Sequence, residues 1–593
     1  MAERLPKWKA LAIFSSDALS SVGYGPEQIA LVLAASGLAA YGYYPYAFLV
    51  VLSLLAVVTV SYTQVARANP GGGGSYSVAK KNLGEYPALV AAAALFADYV
   101  LTVAVSITAG TQALVSAFPA LREQAISIDI FVLFAILTLV NLRGVRESAH
   151  AFVFPTYLFV LGMLGLIVTG VYQAITGPGP VFAAESLAKQ ELDWVMLALV
   201  LRAFANGCSS MTGLEAISNG VPMFKPPEHA NAIKTTYWMS GLLAIMLTGI
   251  SFLLLHYHIL PMPHVTMLSQ IAEQTLGRGW FYYYIQMTTM LILFLAANTA
   301  YNGLPPLLSL LAQDGYMPRY LGLRGERLSF SNGILLLSLV AGLLIVAFDG
   351  EVEHLISLYA VGVFLSFTIA QSGMVVHWWR QRDRNWRRRA LVNGFGAMIT
   401  GIVVVVIAVS KFFAGAWIVL IFIPVMIFIF KKIKGHYLDM AEQLRLPLEE
   451  GQYGGYSAGK HYVIVPVASP TRVVANTMRY AKMIGDEIIA LHVATDKEEI
   501  QRVEEKWKQW NPDVKLVTVY SPYRLVIQPV IQFVEKLIKR KRPEDFITIV
   551  IPEFETRKWW HRLLHNQTGL ILRTMLIFSK DVAVTTLPFQ LKK

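Results

Sequence analysis

The chain has 593 residues, of which 55% are hydrophobic and 15% are charged, and its mean hydropathy is +0.51. This composition excludes a purely water-soluble protein of this length. The single cysteine, Cys208, excludes an internal disulfide and a cysteine-based metal site. The net charge is +12, and most of the surplus lies in short loops between apolar runs, as is typical of a membrane protein. We therefore expect no nucleic-acid partner.

Apolar runs long enough to cross a bilayer recur from the basic N-terminus to about residue 430. Lys and Arg collect after the even-numbered runs, whereas the odd connections carry acidic residues or little charge. Because basic loops stay inside, we expect a multi-pass protein of the cell membrane with cytoplasmic N- and C-termini. Twelve spans are predicted, near residues 8–36, 45–64, 86–114, 127–142, 151–174, 194–220, 232–258, 280–303, 332–348, 353–377, 391–410 and 413–430.

The composition changes after Gly451 to that of a soluble domain. We therefore divide the chain into an all-α transmembrane domain at 1–435, a linker at 436–460 and an α/β domain at 461–593. Short β-branched runs alternate there with amphipathic helices, which predicts a parallel sheet covered on both faces. Strands are predicted at 461–468, 487–494, 515–520, 546–552 and 582–588, and helices at 471–484, 496–510, 524–541 and near 557–579.

Three acidic residues fall at membrane depth, namely Asp17, Asp98 and Glu215. Each charged side chain costs at least roughly 2.5–3.5 kcal/mol to insert into the bilayer, so each of these residues is expected to have a specific role. Asp17 lies in FSSDALSSVGYGP and Glu215 lies in SSMTGLEAISNGVP, two stretches rich in small, helix-breaking residues. Small residues also permit close helix packing, but packing alone needs no acid. The first and the sixth predicted spans are thus both interrupted. This favours an inverted-repeat transporter with its binding site at the membrane midplane.

Other polar residues in the spans could line the same binding site. Asp98 and Thr102 are four residues apart and share one helix face; the alternative is a structural hydrogen bond between helices. Tyr359, in the tenth span, is a further candidate, although tyrosine in a span is often a packing or interfacial residue. The stretch at 68–84 has many glycines but no GK[ST], so it is not a phosphate loop; it is a flexible connection or a gate.

The charge of these residues indicates the kind of ligand. A carboxylate in a region of low dielectric constant repels an anionic substrate and attracts a cation. Carboxylate, hydroxyl and unwound backbone oxygens suit a dehydrated monovalent ion, whereas a divalent ion favours more carboxylates. A carboxylate held away from water also binds protons more readily, so Glu215, Asp98 and Asp17 are candidates for proton coupling.

Several motifs together resemble a known family. They are SSDALSSVGYG, PGGGGSY, DYVLTVAVSITAGT, NLRG, TGLEAISN, AANT, FSNG and LYAVGVF, with HNQTG in the tail. From about Lys7 to its end, the chain resembles the KimA-type potassium importers, which are related to the KUP potassium-uptake family in the amino acid–polyamine–cation superfamily. The resemblance implies a bacterial K⁺/H⁺ symporter of the high-affinity type that works by alternating access.

The resemblance also implies an architecture and a ligand set. It implies a LeuT-like inverted repeat of five plus five helices with two further helices, and a homodimer formed through the cytosolic domain. It places K⁺ ligation on Asp17, Tyr24, Thr212 and Glu215, with Asp98, Thr102 and Tyr359 around the same path. K⁺ is then the only metal ion, and no cofactor is expected.

The tail resembles a universal-stress-protein fold. It lacks the glycine-rich ATP signature of that fold, and WWHRLLHNQTGLILR (559–573) occupies the corresponding place. The resemblance to potassium transporters suggests regulation by cyclic di-AMP, although no motif in this sequence carries it.

Two alternatives to a potassium transporter remain open at the level of sequence. An amino-acid or amine permease on the same fold would use the acids at the helix breaks to bind a substrate amine. A receptor would bind a ligand in its membrane part and signal through the tail. Neither alternative is an enzyme, and the soluble domain shows no catalytic triad spacing.

Overall fold

The structure is a computed structural model, and it describes residues 4–69, 74–143, 148–177, 193–262, 264–322, 330–443, 459–494, 496–510, 513–521, 526–555, 568–576 and 582–590. The chain divides into two compact units, Met1–Leu444 and Arg445–Lys593. The first unit is helical and the second is an α/β domain.

The principal helices of the first unit are numbered in chain order. They are α1 Lys7–Phe14, α2 Ser16–Ser20, α3 Gly25–Ala34, α4 Tyr44–Ala68, α5 Gly74–Asn82, α6 Glu85–Ala117, α7 Pro119–Arg143, α8 Ser148–Thr176, α9 Trp194–Gly207, α10 Ala216–Asn219, α11 Glu228–His256, α12 Met267–Leu276, α13 Trp280–Gln313, α14 Ser331–Ala347, α15 Val352–Gln381, α16 Trp386–Ser410 and α17 Ala416–Gln443.

Within the described residues, ten helical segments are long and apolar enough to cross a membrane. Large apolar side chains are exposed on the outer helices, among them Leu339 in α14, Ile402 in α16 and Phe428 in α17. An outer surface this apolar is what a lipid environment requires. The protein is therefore a multi-pass membrane protein, as predicted.

The predicted count of twelve spans stays a prediction. The ninth predicted span corresponds to α14, a shorter apolar helix of 17 residues. The first predicted span is divided into α1, α2 and α3, none of which is long enough to cross a bilayer by itself. The other predicted spans match the ten long segments, although α13 and α17 extend well beyond their predicted ends.

Both predicted helix breaks are confirmed. Between α2 and α3 the chain forms a 3-10 turn at Ser21–Gly23. Between α9 and α10 it forms a 3-10 turn at Cys208–Met211, and Thr212 is then extended. Gly213 follows with φ of 74°, a left-handed conformation that glycine adopts without a steric penalty. Backbone groups around both breaks are thus released from regular helical hydrogen bonding.

The second unit is built on a five-stranded, wholly parallel sheet with strand order β3-β2-β1-β4-β5. Val530 and Leu572 belong to helices that pack on one face, whereas Met478 and Trp507 belong to helices on the other. The strands are β1 His461–Pro466, β2 Glu487–Ala494, β3 Lys515–Tyr520, β4 Phe546–Glu555 and β5 Val582–Gln590, and the helices are α18 Arg472–Ile484, α19 Lys497–Trp510, α20 Ile527–Ile538 and α21 Thr568–Leu576.

The predicted doubly covered parallel sheet is confirmed, and each predicted strand begins at the observed residue. Helix α21 covers part of the predicted helix near 557–579. Three predicted features extend outside the described residues: most of the 559–573 stretch, much of the linker at 436–460 and residues 70–73 of the glycine-rich stretch.

Candidate ion-binding site

The two helix breaks lie against each other inside the first unit. The Ser21 hydroxyl, at the first break, donates to the Ser210 carbonyl oxygen, at the second, at 2.8 Å. Gly25 allows this approach, because a Cβ there would stand 2.5 Å from the Ser210 Cβ. Two unwound segments packed in this way bring carbonyl, hydroxyl and carboxylate oxygens together, as a site for a dehydrated cation needs.

The three intramembrane acids are all buried. Asp17 and Glu215 are each 5% exposed and Asp98 is 3% exposed. One oxygen of each carboxyl group, namely Asp17 Oδ1, Asp98 Oδ1 and Glu215 Oε2, has no hydrogen-bond partner among the described residues. Buried polar atoms are nearly always paired, so three unpaired oxygens in one region indicate groups aimed at a ligand.

The predicted neutral residues join the same region in two pairs. Tyr24 and Thr212 place their hydroxyl oxygens 3.4 Å apart and so link the two breaks. Thr102 and Tyr359 place theirs 2.8 Å apart and link α6 to α15. All four residues are buried. The structure thus brings the seven predicted residues onto the elements around the two breaks.

The acids are also close to each other or to the unwound backbone. Asp98 and Glu215 are close enough to interact electrostatically with one another. Asp17 packs over Gly213, where a Cβ would come within 2.6 Å of Asp17 Oδ2. Gly213 therefore serves the site twice, through its left-handed backbone and through its missing side chain.

The three acids have no basic partner within the described ranges. In that part of the chain, none of the ion pairs involves Asp17, Asp98 or Glu215. An uncompensated carboxylate at such a place is too costly to persist. Bound protons, a bound cation, or both are therefore needed to neutralise the site.

Four residues of this region are not among the predicted site residues, although two of them, Gly213 and Asn219, lie in the predicted second break; the four are Tyr62, Tyr99, Gly213 and Asn219. Asn219 Nδ2 donates to the Tyr99 hydroxyl oxygen at 3.1 Å, which ties the end of α10 to the residue after Asp98. The Tyr62 hydroxyl is buried and has no hydrogen-bond partner among the residues described. Adjacency to the acids could have indicated Tyr99 and Gly213, whereas nothing in the local sequence distinguishes Tyr62 from a packing tyrosine.

Comparisons with known proteins agree with this geometry. Residues 5–430 match a family model described as amino acid permease, and residues 459–589 match one described as KimA potassium transporter C-terminal domain. The chain is 45% identical over 593 residues, 100% of this chain and 96% of the relative, to the potassium transporter KimA of Bacillus subtilis (strain 168). These matches confirm the expected resemblance and favour a transporter over an enzyme. The chain belongs to the family of KimA potassium transporters.

Proposed function

We propose that this protein takes up K⁺ across the cell membrane by K⁺/H⁺ symport with alternating access. The observation that carries the proposal is the set of three buried acids, each with one oxygen unpaired among the described residues. The relative that is 45% identical over the whole chain is a potassium transporter, which supports K⁺ as the ion. K⁺ is here a substrate and not a resident cofactor.

The proposed K⁺ ligands are Asp17, Tyr24, Thr212 and Glu215, which flank the two breaks. Carboxylate, hydroxyl and backbone oxygens together can replace the hydration shell of a monovalent cation. Asp98, Thr102 and Tyr359 are proposed to line the path to and from this site. The hydroxyl groups of Thr102 and Tyr359 supply neutral oxygens along that path.

The Asp98–Glu215 pair is proposed to hold the coupled proton, and Asp17 is a third candidate. Two ionised carboxyl groups that interact in a buried site repel each other, so a proton bound to one of them stabilises the pair. One K⁺ offsets only one of three negative charges. A closed, water-free site therefore approaches neutrality only when protons are bound together with K⁺, which is the condition for symport.

The remaining architecture is proposed from the resemblance and the topology. The two breaks support a LeuT-like five-plus-five repeat, with α16 and α17 as the two further helices. The distribution of Lys and Arg supports cytoplasmic termini. The C-terminal domain is proposed to resemble universal stress proteins, to form a homodimer and to bind cyclic di-AMP. Its doubly covered parallel sheet supports the first of these, and the other two rest on the resemblance.

Competition between substrates tests this proposal against its alternatives. Purified protein in liposomes is given radioactive rubidium, and uptake is measured with excess K⁺, Na⁺ or a mixture of amino acids and polyamines. We expect K⁺ to block uptake and the organic amines to leave it unchanged. Uptake of labelled amino acids without K⁺ transport would instead establish a permease. Absence of any net flux would favour a receptor.

A further inference from the structure

A cluster of polar residues lies where α13 ends, outside the proposed ion site. Asp314 Oδ2 accepts a hydrogen bond from the Tyr76 hydroxyl at 2.5 Å, and Asp314 Oδ1 accepts one from Lys80 Nζ at 2.5 Å. Tyr76 is almost fully buried, and burial together with the Asp314 carboxylate raises the pKa of its hydroxyl. Tyr76 therefore stays a donor, and Asp314 holds α5 at two points. We name Tyr76, Lys80 and Asp314 the inner latch.

Helix α5 is packed directly against a helix of the site. The Ser75 hydroxyl lies 2.6 Å from the Ser366 hydroxyl in α15, the helix that carries Tyr359. Further along α15, a Cβ at Gly373 would stand 2.9 Å from the side chain of Val78. Ser366 lies at the middle of α15, and Gly373 lies in its later part, on the side that the charge distribution assigns to the cytoplasm.

The first residue of α5 also touches the broken sixth span. A Cβ at Gly74 would stand 2.6 Å from Asn219 Oδ1, at the end of α10. Helix α10 begins directly after Glu215, and Asn219 in turn donates to Tyr99. Helix α5 therefore contacts both α10, which follows Glu215, and α15.

A second contact steadies the segment that carries Asp314. Lys434 Nζ, in α17, donates to the Tyr316 hydroxyl oxygen at 2.6 Å and lies 3.6 Å from Glu85 Oε1. Tyr316 is two residues beyond Asp314, so its position and that of the latch are linked through the backbone. Lys434 in α17 thus connects the start of α6 to the segment that follows α13.

We propose that the inner latch holds α5 closed over the cytoplasmic end of the ion path, with Asp314 as the positioning residue. Lys80 is 50% exposed and Asp314 is 24% exposed, so water and ions reach this pair and it can break and reform. Opening of the latch frees α5 from α13 and uncovers the end of α10. The inference rests on the proposed function only in assigning ion release to this side.

Thiol accessibility in the full chain tests the latch. The native cysteine is removed by Cys208→Ser, and Ala216→Cys places a partly exposed thiol beside Glu215. Inside-out membrane vesicles are treated with a small charged thiol reagent, and the labelling rate is measured. We expect Asp314→Lys or Lys80→Asp alone to raise this rate about fivefold, the upper range for breaking one exposed ion pair. The exchanged pair, Lys80→Asp with Asp314→Lys, restores the ion pair but not the Tyr76 hydrogen bond, so its rate falls below that of either single variant, towards the parent rate.

Asp383→Lys is the matched control. It breaks the Arg389–Asp383 ion pair, 3.4 Å long, which lies at the connection between α15 and α16 and does not hold α5. Its labelling rate stays at that of the parent. Single latch variants that label no faster than the parent, or an exchanged pair that labels as fast as the single variants, would overturn the inference. The labelling needs no K⁺ flux, so a wild-type protein that fails to transport K⁺ contradicts the proposed function and leaves this test intact.

Discussion

Two carboxylates of nearly equal burial, one in each unit, have opposite surroundings. Asp17 in the membrane unit and Asp545 in the C-terminal unit are each 5% exposed. Asp545 accepts hydrogen bonds from the backbone N–H groups of Lys460 and Arg542, each at 2.9 Å. Asp17 Oδ1 has no partner among the residues described. Burial alone therefore does not mark a functional acid, and what distinguishes Asp17 is an unpaired oxygen beside the two helix breaks.

The largest effect is expected from removing charge at the ion site. Glu215→Gln or Asp17→Asn should lower K⁺ uptake by about tenfold or more, because a cation site loses its counter-charge while the side chain keeps its shape. Initial uptake rates in liposomes, normalised to inserted protein, measure this effect. Asp545→Asn is the control and should transport normally. Near-normal K⁺ uptake by both site variants would mean that Glu215 and Asp17 are no more important for transport than Asp545.

A smaller loss is expected from a change that leaves every carboxylate in place. Gly213→Ala puts a methyl group against Asp17 and forces a side chain into a left-handed backbone, so uptake should fall by about fivefold. Gly241→Ala is the matched control, because a Cβ there meets no other atom within 4 Å. The initial rate of K⁺ uptake is measured for both variants. Equal rates would show that the backbone geometry of the second break does not affect transport.

Removal of the C-terminal unit should affect assembly more than selectivity. Every proposed K⁺ ligand lies in the unit Met1–Leu444, so a protein truncated near Gly451 should become more monomeric but still prefer K⁺ to Na⁺. Light scattering in detergent and ion competition on the same preparation test both statements. A truncated protein that stays dimeric, or one that loses its K⁺ preference, contradicts this division of roles.

The smallest effect concerns Asp545 and is one of stability. The N–H groups of Arg542 and Lys460 hold the pKa of this carboxyl below its usual range. A depressed pKa gives stability that is fully present above the unfolded pKa, about 4, and is lost as the pH falls through the folded pKa. Asp545→Asn should therefore lower the unfolding temperature of the C-terminal unit slightly at neutral pH.

The difference between wild type and Asp545→Asn should shrink below about pH 4, where the wild-type carboxyl also becomes protonated. Thermal unfolding of the full chain, followed at two pH values, measures it. A difference that stays constant with pH would mean that the carboxylate charge has no part in the effect.

The sequence predicts the α/β unit well because its signals are local. The bounds predicted for strands β2 and β3 are those observed, since short β-branched runs are flanked by clear turn residues. Both helix breaks are also predictable, because glycine and proline act on the backbone at their own position. Span ends are less predictable, since α17 continues as polar helix beyond its apolar run and α13 continues as a helix through Pro305 and Pro306 beyond its predicted end.

Contacts between distant segments are not predictable from one sequence. The hydrogen bond from Asn219 to the Tyr99 hydroxyl joins the end of the second break to α6, and no local pattern encodes that pairing. The same holds for Tyr76 and Asp314, which are 238 residues apart. Resemblance to a family supplies the set of proposed ligands, but not the geometry that unites it.

Coupling between the two ions tests the central claim most directly. Purified protein is placed in liposomes, and the initial rate of K⁺ uptake is measured with an acidic outside solution and again after the pH gradient has been collapsed, with membrane potential and K⁺ gradient held constant. Because the buried carboxyl groups need protons bound together with K⁺, we predict faster uptake when the outside is acidic. A rate that does not change when the pH gradient is collapsed would contradict symport and leave a uniporter or a channel.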